Sequence, residues 1–189
     1  MKKILLFPGA FNPPHSGHVL AIEVALKKMF FDEIWIMPSG KRNDKTISIA
    51  YEQRRDLGNL FVEYLQTKTI IPVKLITNEL DDLEQRTTEE ILKEVKSQPD
   101  IQVIQLIGLD GYLKIGKKIP AEKFIVMQRP GYKLSSDFTQ NDNVIILDGV
   151  VSDISSTSIR TLVQKHDLGY KEFIPEKIAI YINEHKLYI

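Results

Sequence analysis

Residues 4–18 read Ile4-Leu5-Leu6-Phe7-Pro8-Gly9-Ala10-Phe11-Asn12-Pro13-Pro14-His15-Ser16-Gly17-His18. The apolar run 4–7 is stopped by Pro8-Gly9, the pattern of a short buried strand. A Gly/Pro-rich turn follows, and a helical pattern begins near His15. Val19, Ile22, Leu26 and Met29 recur at helical spacing and share one face. In an open α/β sheet, ligands bind beyond the carboxyl ends of strands, where such a turn lies. Small residues let an anion approach the backbone N–H groups, and the helix N-terminus adds partial positive charge. His15 and His18, three apart, project from the first turn toward one spot. Two imidazoles there are placed to donate hydrogen bonds to phosphate oxygens. The plainer alternatives are a simple turn carrying two surface histidines, or a metal pair. Zinc needs further ligands, and the sequence holds no Cys and no other His nearby.

The same alternation continues along the chain. Largely apolar stretches at 34–37, 73–76, 101–107, 124–127 and 144–147 read as strands. Helices are expected over 49–65, 87–95 and 155–163. A last helix opens at Pro175 with Ile178, Tyr181 and Ile182 on one face. Strands alternating with helices predict an α/β fold with a doubly wound, mostly parallel sheet. Residues 41–46 are polar and charged, as expected of a surface loop. With no linker, repeat or low-complexity segment, residues 1–189 read as a single domain.

Composition narrows the function. The chain has 189 residues, 43% hydrophobic and 26% charged, enough to bury a full core. Lys+Arg and Asp+Glu are 25 each, so the net charge is zero. A neutral chain lacks the field that holds a phosphate backbone or an anionic membrane surface, which argues against nucleic-acid and membrane partners. The absence of Cys removes disulfides, Cys-ligated zinc, iron–sulfur clusters and thiol catalysis. The opening Met1-Lys2-Lys3-Ile4-Leu5-Leu6-Phe7-Pro8-Gly9 is too short an apolar stretch for a signal peptide. No window approaches the roughly 20 apolar residues of a membrane span. A cytoplasmic protein is expected, and a homo-oligomer stays open.

A second segment, Ile154-Ser155-Ser156-Thr157-Ser158-Ile159-Arg160, opens a helix with a run of hydroxyls and carries an Arg one turn in. On its own this is an ordinary N-cap box. The functional alternative is a second phosphate-binding helix start, where hydroxyls, N–H groups and a guanidinium converge on an anion. Two such segments, far apart in one α/β chain, favour the phosphate reading of both.

Together these residues resemble a known family. The segment from Gly9 to His18 resembles the G-x-F-[DN]-P-x-H-x-G-H signature of the nucleotidyltransferase α/β phosphodiesterase superfamily. The segment from Ile154 to Arg160 resembles its I-S-S-T-x-I-R signature. Pro38-Ser39-Gly40 with Lys45, Arg54 in the following helix, Ile107-Gly108-Leu109-Asp110, Arg129-Pro130-Gly131-Tyr132 and the tail (Phe173-Ile174-Pro175, Tyr181-Ile182, His185, Leu187-Tyr188) resemble the bacterial nicotinate-nucleotide adenylyltransferase branch. The resemblance covers essentially the whole chain. It implies a Rossmann-like nucleotidyltransferase fold and a condensation in NAD biosynthesis, in which the 5′-phosphate of a pyridine mononucleotide attacks the α-phosphorus of ATP and pyrophosphate leaves. By similarity, His15 and His18 are the catalytic pair, stabilising charge at the α-phosphorus. Gly9, Ala10 and Phe11 approach ATP through their backbone. Ser156, Thr157 and Arg160 belong to the ATP site, the latter two at the β- and γ-phosphates. Gly108, Asp110, Tyr112 and Lys45 serve the acceptor nucleotide. Mg²⁺ arrives on the ATP phosphates, with no metal ligands expected from the protein.

The sequence also departs from that pattern. Pro8-Gly9 replaces Gly-Gly, and Lys41-Arg42-Asn43-Asp44 replaces Pro-Pro-His. Residues 111–118 lack the Trp that the family places after its I-G-A-D turn, which leaves Tyr112 as the aromatic there. Arg86-Thr87-Thr88 stands in place of Tyr-Thr. Nicotinate mononucleotide, nicotinamide mononucleotide and another phosphorylated acceptor therefore all remain open, as does a non-catalytic nucleotide sensor, while the tail and Arg129-Pro130-Gly131-Tyr132 argue against phosphopantetheine. A class I aminoacyl-tRNA synthetase needs a longer chain and a second lysine-rich motif. Arg54, next to Arg55, is equally readable as a solvent-facing residue, and Trp35 as strand packing.

Overall fold

The computed structural model describes residues 1–40, 49–81, 90, 93–94, 100–115, 123–128, 143–147 and 153–189. The expected loop at 41–46 with Lys45, most of the expected helix 87–95, and Arg129-Pro130-Gly131-Tyr132 lie outside them. Residues 90, 93 and 94 are helical.

In chain order the elements are β1 (Lys2–Gly9), α1 (Ser16–Lys28), β2 (Glu33–Pro38), α2 (Tyr51–Gln66), β3 (Val73–Leu75) and α3 (Asn78–Asp81). Then come β4 (Ile101–Gly108), α4 (Leu109–Ile115), β5 (Lys123–Met127), β6 (Val144–Leu147), α5 (Ser156–Gln164), a 3₁₀ turn (Leu168–Phe173) and α6 (Glu176–Glu184). The strands form one sheet in the order β3-β2-β1-β4-β5-β6, and every pairing is parallel. The strand runs expected from sequence all fall in this sheet.

Burial on both faces explains why these strands read as mostly apolar runs, broken only by Lys74 in β3 and Gln102 and Gln105 in β4 within the stretches read from sequence. Leu5, Phe7, Ile34, Ile36, Ile104, Leu106, Ile125 and Met127 face one side and pack with Ile22 of α1, Leu57 and Phe61 of α2, Ile159 of α5 and Ile178 of α6. The alternate residues Leu6, Met37 and Val103, and further along Ile107, Phe124, Val126 and Val144, face the other side. Each fully buried side chain of this size contributes about 1.5–3 kcal/mol.

The chain order reverses between β1 and β4, so their carboxyl ends flank the topological switch point. Gly9 is opposite Pro38, and Gly108 is opposite Met127. Continuing the β1–β4 register from Leu6 opposite Gln105 brings Gly9 level with Gly108. The turn after β1 and the start of α4 therefore open on the same crevice.

Candidate active site

The crevice is built on the β1–α1 turn. His15 is the N-cap of α1, with extended backbone, and its Nδ1 accepts the N–H of Gly17 at 3.2 Å. Three residues on, His18 Nδ1 accepts the N–H of His15 at 3.1 Å. The two histidines thus form a reciprocal capping box, the geometry that Ser/Thr and Glu usually supply. Their rings lie 3.8 Å apart, and His15 is buried. His18 is wedged against Phe11 (4.8 Å), Phe7 (5.7 Å) and Phe61 (6.2 Å). A backbone N–H can only donate, so both Nδ1 atoms act as acceptors, and each neutral ring carries its proton on Nε2.

Phe11 itself is 2% exposed and holds a left-handed backbone, φ 45°. Its ring covers the end of β1, where a Cβ on Gly9 would meet it at 3.2 Å. The Phe11 ring therefore belongs to the core. The turn is held from β2 as well. Ser39 N–H donates to the Gly9 carbonyl at 2.8 Å. Arg54 of α2 donates through Nη2 to the Ala10 carbonyl at 3.0 Å and to the Ser39 carbonyl. Arg54 is 1% exposed, which corrects the solvent-facing reading. A guanidinium reaches two carbonyls of separate loops at once, and that geometry draws it inside.

The second sequence motif meets the same turn. Ser155 caps α5 by accepting the N–H of Ser158 at 3.0 Å. Ser156 Oγ donates to the Pro13 carbonyl at 2.9 Å. Arg160 donates to the Asn12 carbonyl at 2.9 Å and to Thr157 Oγ1 at 3.2 Å. The Ser156 side chain thus joins α5 to the turn, while in the same first turns Thr157 is exposed and Arg160 half-buried. The partners of Arg160 in these bonds carry no net charge, so its positive charge is still available to an anion.

Comparison with known proteins decides the lineage. Residues 6–162 match the cytidylyltransferase-like family model. Over 196 residues the chain is 32% identical to "Probable nicotinate-nucleotide adenylyltransferase" of Bacillus pumilus (strain SAFR-032), covering 100% of this chain and 99% of the relative. The chain belongs to the nicotinate-nucleotide adenylyltransferase family. It is 29% identical to the Bacillus subtilis (strain 168) nicotinate-nucleotide adenylyltransferase, over 100% of this chain and 99% of that one. The fold matches the Plasmodium falciparum nicotinic acid mononucleotide adenylyltransferase complexed with NaAD, with a TM-score of 0.78 at 20% identity over 100% of this chain and 98% of that one.

On the β4 side of this family's crevice, Gly108 ends the strand and Asp110 stands half-buried in the first turn of α4. Tyr112, also in α4, packs edge-on against Phe124 at 5.1 Å. Sequence reasoning ended the strand at Gly108 and put Asp110 in a turn with Tyr112 just after it, and so missed the helix. Lys45 lies outside the described residues. Among the described residues, no three His, Cys, Asp or Glu side chains gather as a metal site, and no helix is long and apolar enough to cross a membrane. Two residues that hold the turn, Asn12 and Tyr188, were not singled out as site residues. Asn12 is 2% exposed, and its Oδ1 accepts the Tyr188 hydroxyl at 2.6 Å.

Proposed function

We propose that this chain transfers the adenylyl group of ATP to the 5′-phosphate of nicotinate mononucleotide, forming the dinucleotide and releasing pyrophosphate in NAD biosynthesis. The observation that carries this reading is the convergence of both motifs on one turn at the switch point, in a chain of this family.

An oxygen of the mononucleotide phosphate attacks the α-phosphorus of ATP. The bond to the bridging oxygen breaks, and pyrophosphate departs with the electron pair. Charge shifts onto the phosphate oxygens, so the protein's work is alignment and charge stabilisation. His15 and His18 serve through Nε2–H as hydrogen-bond donors to those oxygens. Their Nδ1 atoms are engaged by backbone N–H groups, so the donors are fixed before the charge develops and need little reorganisation. The backbone of residues 9–11 lies against the nucleotide. Thr157, Arg160 and the first-turn N–H groups of α5, Ser156 included, hold the β- and γ-phosphates, the future pyrophosphate. Gly108, Asp110 and Tyr112 line the acceptor half, and Lys45 reaches the mononucleotide phosphate. Mg²⁺ enters on the ATP phosphates as part of the substrate. The setting is cytoplasmic, and the partners are the two nucleotides.

The test is pyrophosphate release from MgATP with nicotinate or nicotinamide mononucleotide as acceptor. The expected result is a kcat/KM at least about tenfold higher for nicotinate, a difference of about 1.4 kcal/mol in transition-state stabilisation. A reversed preference assigns the amide. That second outcome has a physical basis, because Phe124 packs against the Tyr112 ring and no Trp stands beside it to take the acceptor ring. No release with either acceptor overturns the reading.

A further inference from the structure

Residues 10–14, which carry the strand end to His15, are held by groups from the far end of the sequence. Arg160 holds the Asn12 carbonyl, Ser156 holds the Pro13 carbonyl, and the Tyr188 hydroxyl holds the Asn12 side chain. The last of these bonds links residues 176 apart in sequence and is buried at both ends.

The backbone at Tyr188 is also unusual. Both Lys186 (φ 49°) and Tyr188 (φ 67°) are left-handed. At Lys186 the helix end explains this. His185 caps α6, and the Leu187 N–H returns to the Ile182 carbonyl at 2.9 Å, the closure in which one left-handed residue follows the cap. That closure is complete before Tyr188, so it makes no demand there. A left-handed non-glycine residue is strained and persists where its surroundings require it. At Tyr188 the backbone turn delivers the ring to the core and the hydroxyl to Asn12.

Packing alone does not call for this hydroxyl. A Phe ring fills the same space, and replacing both partners of a buried hydrogen bond by apolar groups is close to neutral for stability. What the hydroxyl adds is direction: it fixes one orientation of the Asn12 amide at the centre of the turn. Burial raises the phenol well above its ordinary range, despite the opposing pull of Arg160 and Arg54, so it remains a neutral donor.

We infer that Tyr188 is a positioning residue for ATP, its hydroxyl fixing Asn12 and so, with Arg160, setting the turn that presents the backbone of residues 9–11 and His15 to the nucleotide. This rests on the reading that the β1–α1 turn takes ATP.

The experiment compares the full chain with Tyr188→Phe, Asn12→Ala and the double variant. MgATP binding is measured by calorimetry without acceptor, and turnover by pyrophosphate release. Tyr188→Phe is expected to weaken ATP binding about tenfold and to lower kcat by a similar factor, the scale of one lost hydrogen bond in an aligned site. The KM for the mononucleotide should move less than about twofold, because the acceptor half is built by other residues. The double variant should be no worse than Asn12→Ala, since both changes remove one contact. Tyr181→Phe, which removes the hydroxyl that bonds Asp56 at 2.7 Å on the outer helices, should leave both readouts unchanged. Wild-type ATP affinity and kcat in Tyr188→Phe, or losses that multiply in the double variant, overturn the inference. Wild-type protein that binds ATP but turns over neither mononucleotide defeats the acceptor reading alone, and the calorimetry still decides Tyr188. No ATP binding by the wild type defeats both.

Discussion

The central strands hold polar clusters of opposite character at their two ends. At the amino end, Glu33 of β2 takes the ammonium groups of Lys2 and Lys74, each at 2.7 Å, and the indole N–H of Trp35 at 2.7 Å. At the carboxyl end, Arg54 and Arg160 hold main-chain carbonyls of Ala10, Ser39 and Asn12. In the first cluster two ammonium groups close around one carboxylate, so the Glu33 charge is fully engaged. In the second, Arg160 holds its partners through oxygens that carry no net charge, so it can shape a loop and still attract an anion. Equally dense hydrogen bonding thus serves stability at one end and leaves binding capacity at the other.

Substitutions at four positions test that contrast. The largest effect is expected from His18→Ala, which removes a fixed donor from the charge-bearing side. Its kcat should fall about 10²–10³-fold, the range for losing one preorganised donor, as read by pyrophosphate release. Near-native turnover would remove His18 from the chemistry. Next, Arg54→Leu leaves the Ala10 and Ser39 carbonyls without their shared donor. Unfolding in urea should show a loss of about 2–4 kcal/mol, the scale for stranding buried polar groups. Arg54→Lys should recover little of it, because a compact ammonium cannot span both loops as a fork does. Arg160→Leu should weaken ATP binding about 10–30-fold, the scale of a charge-assisted contact of 1.5–2 kcal/mol. A loss in stability alone, with ATP affinity retained, would make Arg160 a second Glu33.

The smallest effect belongs to the closed cluster. Burial pushes the Glu33 carboxyl up, but Lys2, Lys74 and Trp35 outweigh it and bring it down to about 2. Its pKa is lower in the folded state than in the unfolded chain, so its stabilisation is fully present above about pH 4.5 and fades as pH falls toward 2. With both lysines about half exposed, solvent screening limits the contribution to about 1–2 kcal/mol. Urea unfolding at pH 7 and pH 3 should show this difference in the wild type and a flatter profile in Glu33→Gln. Turnover of Glu33→Gln at pH 7 should stay within about twofold, because the substitution sits at the end of the sheet remote from the crevice.

The same contrast explains what the sequence made legible. The β1–α1 turn is local, with strand, breaker, turn and both histidines lying within residues 4–18, so spacing alone exposes it. The sheet was legible for a similar reason, since burial on both faces writes most of the strands as apolar runs. Arg54 was not, because an Arg beside Arg55 on a helix looks solvated, and its burial depends on carbonyls 44 and 15 residues away. Tyr188 and Asn12 looked like a tail residue and a turn residue until folding joined them. The helices Asn78–Asp81 and Leu109–Ile115 and the turn Leu168–Phe173 span too few residues to show a period.

The ties across the β1–α1 turn also have a temporal consequence. The turn leaves the ribosome long before residues 156, 160 and 188, which supply three of its fastenings. A nascent chain that has exposed only the first half of the sheet carries both histidines and none of those fastenings. The turn is therefore completed only after those residues emerge, and partly made chains hold it unfinished.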